Sequence, residues 1–170
     1  MSEAQVIHNS TKNASNVVRS AARRVFGTAE QKIRKVFNDL RRKGHSSVQP
    51  FSVGHVERRM REFAAANSIE LAEGDMYMSV KGITHARRGT KIRSGKAVSE
   101  KAIARFPKNR NTMDLYYDGK VFVYTNYKNK FIVHPNYELK MEGGKVRKVN
   151  FVTASKAGRD EFNLHKYRKI

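Results

Sequence analysis

Apolar positions follow two different periods along this chain. Over the first 68 residues they recur at helical spacing. In residues 13–26 Val17, Val18, Ala21, Ala22 and Val25 make one face, with Arg19, Arg23 and Arg24 on the other side. Gly27 stops that helix and Thr28 caps the next, over residues 29–43, where Ile33, Val36, Phe37 and Leu40 form a stripe that Gly44 ends. Residues 45–51 (HSSVQPF) read as a loop. Ser52 then caps a third predicted helix, residues 53–66, with Val56, Met60, Phe63 and Ala64 inward and Arg58, Arg59 and Arg61 outward. The expectation is a basic three-helix unit over residues 1–68.

Beyond residue 68 alternation takes over. Residues 76–83 (MYMSVKGI) alternate like a strand, residues 85–95 form a Gly- and Arg-rich loop, and residues 99–105 a short helix closed by Pro107. Alternating segments follow at residues 115–117, 120–126, 130–134, 146–154 and 162–170. Turn signals separate them at Asp118-Gly119, Asn126 to Asn129, Pro135-Asn136 and Gly143-Gly144. Residues 69–170 thus predict a second unit, a small antiparallel sheet of four or five strands with one helix packed on it. The fold class is α+β.

Charge changes the picture next. The chain carries 35 Lys and Arg against 15 Asp and Glu, a formal +20 in 170 residues. Residues 1–68 hold 13 basic and 5 acidic groups and residues 69–170 hold 22 and 10, so a basic tail does not account for the excess. A chain this basic repels itself unless a polyanion neutralises it, and nucleic acid rewards each Lys or Arg by releasing counterions. With no cysteine there is no disulfide and no thiolate zinc site, and the six histidines never pair at i, i+3 or i+4. No metal and no cofactor are expected; P-loop and dinucleotide fingerprints are missing too. The N-terminal MSEAQ lacks a signal-peptide pattern and no apolar run is long enough to span a bilayer, so the expected location is cytoplasmic, without a membrane partner.

Four polar constellations carry candidate chemistry. The densest, residues 83–96 (ITHARRGTKIRSGK), holds His85, Arg87, Arg88, Lys91, Arg93 and Lys96. Cations there would hold a phosphate while the imidazole moves a proton; a phosphate-binding loop with a bystander histidine is the plainer reading. His134 ends the apolar run KFIVH before Pro135, near Lys130 and Tyr137. Thr153, Ser155 and Lys156 close the segment that should be a central strand, and His165 shares a strand face with Tyr167. Together they bring histidines, hydroxyls and cations onto neighbouring strands.

In the residues SVKGITH (79–85), the loop 87–96, residues 98–106 with Pro107, and LYYDGKVFVY (115–124), the chain resembles the barnase/colicin-D/RelE-type ribonucleases, in particular variants of phage and bacterial toxins. The likeness covers residues 76–170. It implies a helical segment on a four-stranded antiparallel sheet and metal-independent cleavage of RNA. His85 would match the histidine before the helix, and His134 and Thr153 to Lys156 fall where such enzymes place active-site groups. The proton-transfer pair would be His85 and His134, with Arg88 and Lys91 stabilising phosphoryl charge and Thr153, Ser155, Lys156 and His165 behind them. No glutamate occupies an evident general-base position, which departs from the family. The implied partners are RNA in preference to DNA, the ribosome, and an acidic inhibitor protein, in a bacterium or a phage-infected host.

Other readings compete. Arg58, Arg59 and Arg61 on the third predicted helix fit a helix-turn-helix entering a DNA groove, with residues 76–83 as a wing. Tyr116, Tyr117, Tyr124 and Tyr127 beside lysines such as Lys130 could stack on single-stranded bases, or simply pack as strand residues. Asp118 with Glu138 and Lys140 has a loose metal-nuclease spacing, although Asp118-Gly119 reads more simply as a hairpin turn. A basic protein coating a genome or the ribosome would need no catalytic group.

The charge generates a first prediction. With about six phosphates neutralised, affinity for RNA should fall roughly a thousandfold between 50 and 200 mM salt. A filter-binding titration measures this, and a flat salt profile would exclude a nucleic-acid role.

Overall fold

The structure, a computed structural model, describes residues 28–170. The helix expected over residues 13–26 lies outside the described residues. Helix α1 (residues 28–43) leads to β1 (Phe51–His55), α2 (Arg58–Ala66), β2 (Asp75–Met78), α3 (Val80–Ala86), α4 (Gly89–Arg93) and α5 (Glu100–Asn109). Then come β3 (Asp114–Tyr117), β4 (Phe122–Thr125), β5 (Asn129–Lys140), β6 (Val146–Lys156) and the short β7 (Arg168–Lys169). The strands form one sheet in the order β1-β2-β6-β5-β4-β3-β7. β2 and β6 run parallel and all other neighbours antiparallel. The fold is α+β, with a seven-stranded mixed sheet in place of the expected small antiparallel one.

Helices α1, α2, α3 and α5 bury their apolar stripes in a single core against one sheet face. Ile33, Val36 and Phe37, Met60 and Ala64, Ile83 and Ala86, and Ile103, Ala104 and Phe106 meet Met76, Met78, Tyr124, Phe131, Val133 and Val152 there. The Phe106 ring stacks on Phe131 at 4.3 Å and meets Tyr124 edge-on at 5.6 Å. This core crosses residue 68 without a break, because β1 pairs with β2 and α2 packs into it. Among the described residues, no helix is long and apolar enough to cross a membrane.

Several expected elements come out differently. The helix expected over residues 53–66 begins only at Arg58, and residues 51–55 are strand β1. Ser52 does not cap a helix there; its hydroxyl donates to Asp75 across the β1–β2 pair. Gly54 takes φ +123°, outside the helical region, and a Cβ on it would come within 2.7 Å of the Arg110 guanidinium. That guanidinium is buried, donates to the His55 carbonyl and lies 3.8 Å from Glu57. Glu57 also accepts from Arg59 and the Tyr124 hydroxyl, so the β1–α2 junction is tied to β4 and to the turn that follows α5. The strand expected over residues 76–83 stops at Met78, because the Ser79 hydroxyl accepts from the Gly82 amide and starts α3. Helix α5 does not close before Pro107 but continues through it to Asn109, the ring being buried.

The turn expected at Pro135-Asn136 is instead a bulge inside β5, where three residues (135–137) span two on β6, with Asn136 at φ +51°. The strand expected over residues 162–170 reduces to Arg168–Lys169; His165 sits in an exposed irregular stretch, so it shares no strand face with Tyr167.

Asn150 holds the bulge. It is fully buried on β6, donates to the Ala72 carbonyl, and accepts from the amides of Ala72 and Asn136. Asn150→Ala would leave these part-buried backbone groups without their partner and should destabilise the protein by about 1–3 kcal/mol. Urea denaturation reads this; a loss under about 0.5 kcal/mol would mean the clamp is dispensable.

Candidate functional site

The site lies on the sheet face opposite the main core, and β6 is its floor. Alternation sends Val152 and Ala154 into the core and Phe151, Thr153 and Ser155 to the other face. On β5 the register sets His134 opposite Phe151, Ile132 opposite Thr153 and Lys130 opposite Ser155. Helix α3 makes the wall. Its Ile83 and Ala86 are buried in the core, while Gly82 and His85, three residues apart, border the groove. A Cβ on Gly82 would meet the Phe151 ring at 3.0 Å, so glycine lets the helix approach β6 closely. Helix α4 and the turn after it extend the wall with Arg88, Lys91 and Lys96.

Two cavities follow one another along β6. The first, about 470 Å³, is bordered by His85, Gly82, Tyr137, Phe151 and Thr153. The second, about 420 Å³, is cationic, with Arg88, Lys91, Lys96 and Lys156 around Ser155 and Gly158. Thr153 and Ser155, two apart on one strand face, join them. His134 Nε2 lies 3.1 Å from the Thr153 hydroxyl, in hydrogen-bond contact, and its ring is half-buried near Phe151 and Tyr137. Thr153 is bonded by His134, and it lines the same cavity as exposed His85.

Electrostatics separates these groups. Burial pulls the His134 pKa below the ordinary histidine value, opposed by the charge of Asp118, so the ring is neutral at neutral pH. Partial burial, then the charges of Arg88 and Lys130, lowers the Lys91 ammonium from the usual lysine value. Glu161 lies beside the cleft at Gly158. Burial would raise its pKa, but hydrogen bonds from Lys130, Tyr167 and the Gly158 amide prevail and keep it low. It is an ionised, fully engaged carboxylate.

The groove gathers His85, His134, Arg88, Lys91, Lys96, Thr153, Ser155 and Lys156 on one surface. Other candidates are occupied elsewhere. Lys130 pairs with Glu161 at 2.8 Å, and Arg87 donates to the Val98 carbonyl beneath the wall. Arg93 folds over Gly89 and is exposed, and His165 is exposed on the C-terminal segment. Arg58 pairs with Glu62, Arg59 with Glu57 and the Met113 carbonyl, and Arg61 with the Val56 carbonyl. These three sit on α2, across the sheet from the groove. Tyr116 and Tyr124 are buried and Tyr117 packs against the core, whereas Tyr127 is 51% exposed. The Asp118 carboxylate accepts from the amides of Lys120 and Val121, as a turn residue does. Among the described residues, no three His, Asp or Glu side chains gather as a metal site would require.

Sequence reading passed over Phe151, Gly82 and Glu161. Phe151 reads as an ordinary strand residue, and only the helix start at Ser79 shows why Gly82 meets it. Comparison of the chain with protein-family models, with curated proteins and with solved structures finds no match.

His134 generates a pH prediction. Its folded-state pKa lies below the unfolded value of about 6.5, so its contribution to stability is fully present above that pH and is lost as pH falls through the folded value. The melting temperature of the wild type should therefore drop more steeply below about pH 6.5 than that of His134→Gln. Parallel melting profiles for the two proteins would show that burial does not set the state of this ring.

Proposed function

We propose that the chain is a metal-independent endoribonuclease that cleaves RNA through attack of a 2′-hydroxyl on the adjacent phosphorus. The observation that carries this reading is Thr153, bonded by His134 and lining one cavity with His85, two residues along β6 from Ser155 of a cationic cleft. His134, held neutral by burial, takes the 2′-hydroxyl proton as the O2′–P bond forms. His85, exposed at the groove wall, gives a proton to the departing 5′-oxygen as the P–O5′ bond breaks, leaving a 2′,3′-cyclic phosphate. The Thr153 hydroxyl orients the His134 ring. Arg88 and Lys91 stabilise negative charge developing on the phosphoryl oxygens, and partial burial of Lys91 strengthens its share. Ser155 and Lys156 hold the neighbouring phosphate.

This reading agrees with the toxin-ribonuclease resemblance and makes RNA the preferred substrate, with the ribosome and an acidic inhibitor as further partners. A helix-turn-helix role is less well supported, since Arg58 pairs with Glu62, Arg59 bonds Glu57 and the Met113 carbonyl, and Arg61 bonds the Val56 carbonyl.

The test is incubation of end-labelled RNA with the protein in EDTA, followed by analysis for 2′,3′-cyclic phosphate ends. His134→Ala and His85→Ala should each lower the cleavage rate by about 10²–10⁴ while RNA affinity stays within a fewfold, because the phosphate contacts survive. Arg88→Ala should weaken both. A wild type that cleaves no RNA, or histidine variants that cleave at the wild-type rate, would leave a basic nucleic-acid-binding protein without chemistry.

A further inference from the structure

The groove is chemically polar along its length. On one side of Thr153 the cleft lining is cationic and hydroxylic and contains no aromatic ring. On the other side lies the cavity built on Tyr137 and Phe151, rimmed by Lys81, Lys140 and the single acid Glu138. Tyr137 stacks on Phe151 with centroids 4.9 Å apart and planes 21° from parallel, and His134 packs near both rings. Phe151 is buried beneath it, yet Tyr137 itself is 43% exposed. A large apolar ring is thus fixed from below and left bare above, next to the candidate proton-transfer groups.

The fold spends free energy to arrange this. In an unbroken strand residue 137 would project to the face opposite His134. The extra residue of the β5 bulge returns Tyr137 to the His134 face. The bulge requires Asn136 in the left-handed region and the buried Asn150 clamp. Packing alone does not account for it, since a bulge that buried Tyr137 would gain more apolar area.

We propose that this cavity is a nucleobase subsite: an unstacked base of single-stranded RNA lies on the bare face of Tyr137. Its adjoining phosphate then reaches Thr153 and the next phosphates occupy the cationic cleft. The proposal rests on the reading of the groove as an RNA site, and it adds a requirement for a single strand with a base at that position. A π-face serves every base, so selectivity for base identity is weak and selectivity against duplex is strong.

The chain has no tryptophan, so Tyr137→Trp introduces a lone reporter. The probes are a 2′-O-methyl RNA tetranucleotide, which lacks the attacking hydroxyl, the same backbone with abasic residues, and inorganic phosphate. Fluorescence should be quenched saturably by the base-bearing oligonucleotide and not by the other two. Tyr137→Ala should lower affinity for the base-bearing probe by about 5–150-fold, the range that base–aromatic stacking supplies, and leave the abasic probe unaffected. Tyr137→Phe should bind like wild type, which separates stacking from loss of fold. Equal effects on both probes, no effect on either, or quenching by phosphate alone would overturn the subsite. Because the probes cannot be cleaved, the result is independent of catalysis. Failure here with His134→Ala still abolishing cleavage removes the subsite alone, and base-dependent quenching without cleavage removes the chemistry alone.

Discussion

The groove depends on where β2 is made to stop. β2 and β6 pair in parallel over only Met76–Asn150 and Tyr77–Phe151 before the Ser79 hydroxyl captures the Gly82 amide. A strand carried further would cover the edge of β6 beyond Phe151 and project its own side chains over that face. Instead the chain turns into α3, which runs beside β6 and buries Ile83 and Ala86 on one side while turning Gly82 and His85 to the other. One serine cap thereby creates both a wall and a floor, and Gly82 sets how closely they meet.

The second constraint is the partition of charge. With 35 basic residues against 15 acidic ones, cations outnumber the carboxylates that could pair with them. Glu57 is held by Arg59, Arg110 and Tyr124 at the β1–α2 junction, and Glu161 by Lys130 and Tyr167 at the edge of the cleft. The first cluster fastens the core side of the sheet and the second the edge of the cleft. They also leave Arg88, Lys91, Lys96 and Lys156 facing a cavity whose lining includes no acid. Cations so arranged repel one another, and an anion entering the cavity would relieve that repulsion.

Three side chains make the aromatic end from buried groups upward. Asn150 fixes Ala72 and Asn136, Asn136 shapes the bulge, and the bulge puts Tyr137 over Phe151 beside His134. A buried polar residue at the centre of a strand is costly unless it is bonded, and Asn150 bonds backbone groups of Ala72 and Asn136 through both ends of its amide. Position and rigidity of the groove's aromatic end thus follow from hydrogen bonds on the hidden face of β6.

Local chemistry by itself determined the apolar stripe of residues 29–43, the strands after Leu115 with their Asp118-Gly119 turn, the α+β class, and the set of histidines, hydroxyls and cations in play. Each of these is encoded within a few residues, in periodicity, turn composition or charge. What only the tertiary structure decided was which of those residues meet. Ser79 hides a cap inside an alternating run. Pro135-Asn136 looks the same whether the chain turns back or bulges. Arg110, distant in sequence, packs against Gly54 and bonds the His55 carbonyl where the pattern predicts helix. His85, His134 and Thr153 belong to three elements whose order across the sheet depends on β2 joining β6 in parallel. Such pairing is a contest among long-range partners, settled by burial of the whole core rather than by any residue's neighbours in sequence.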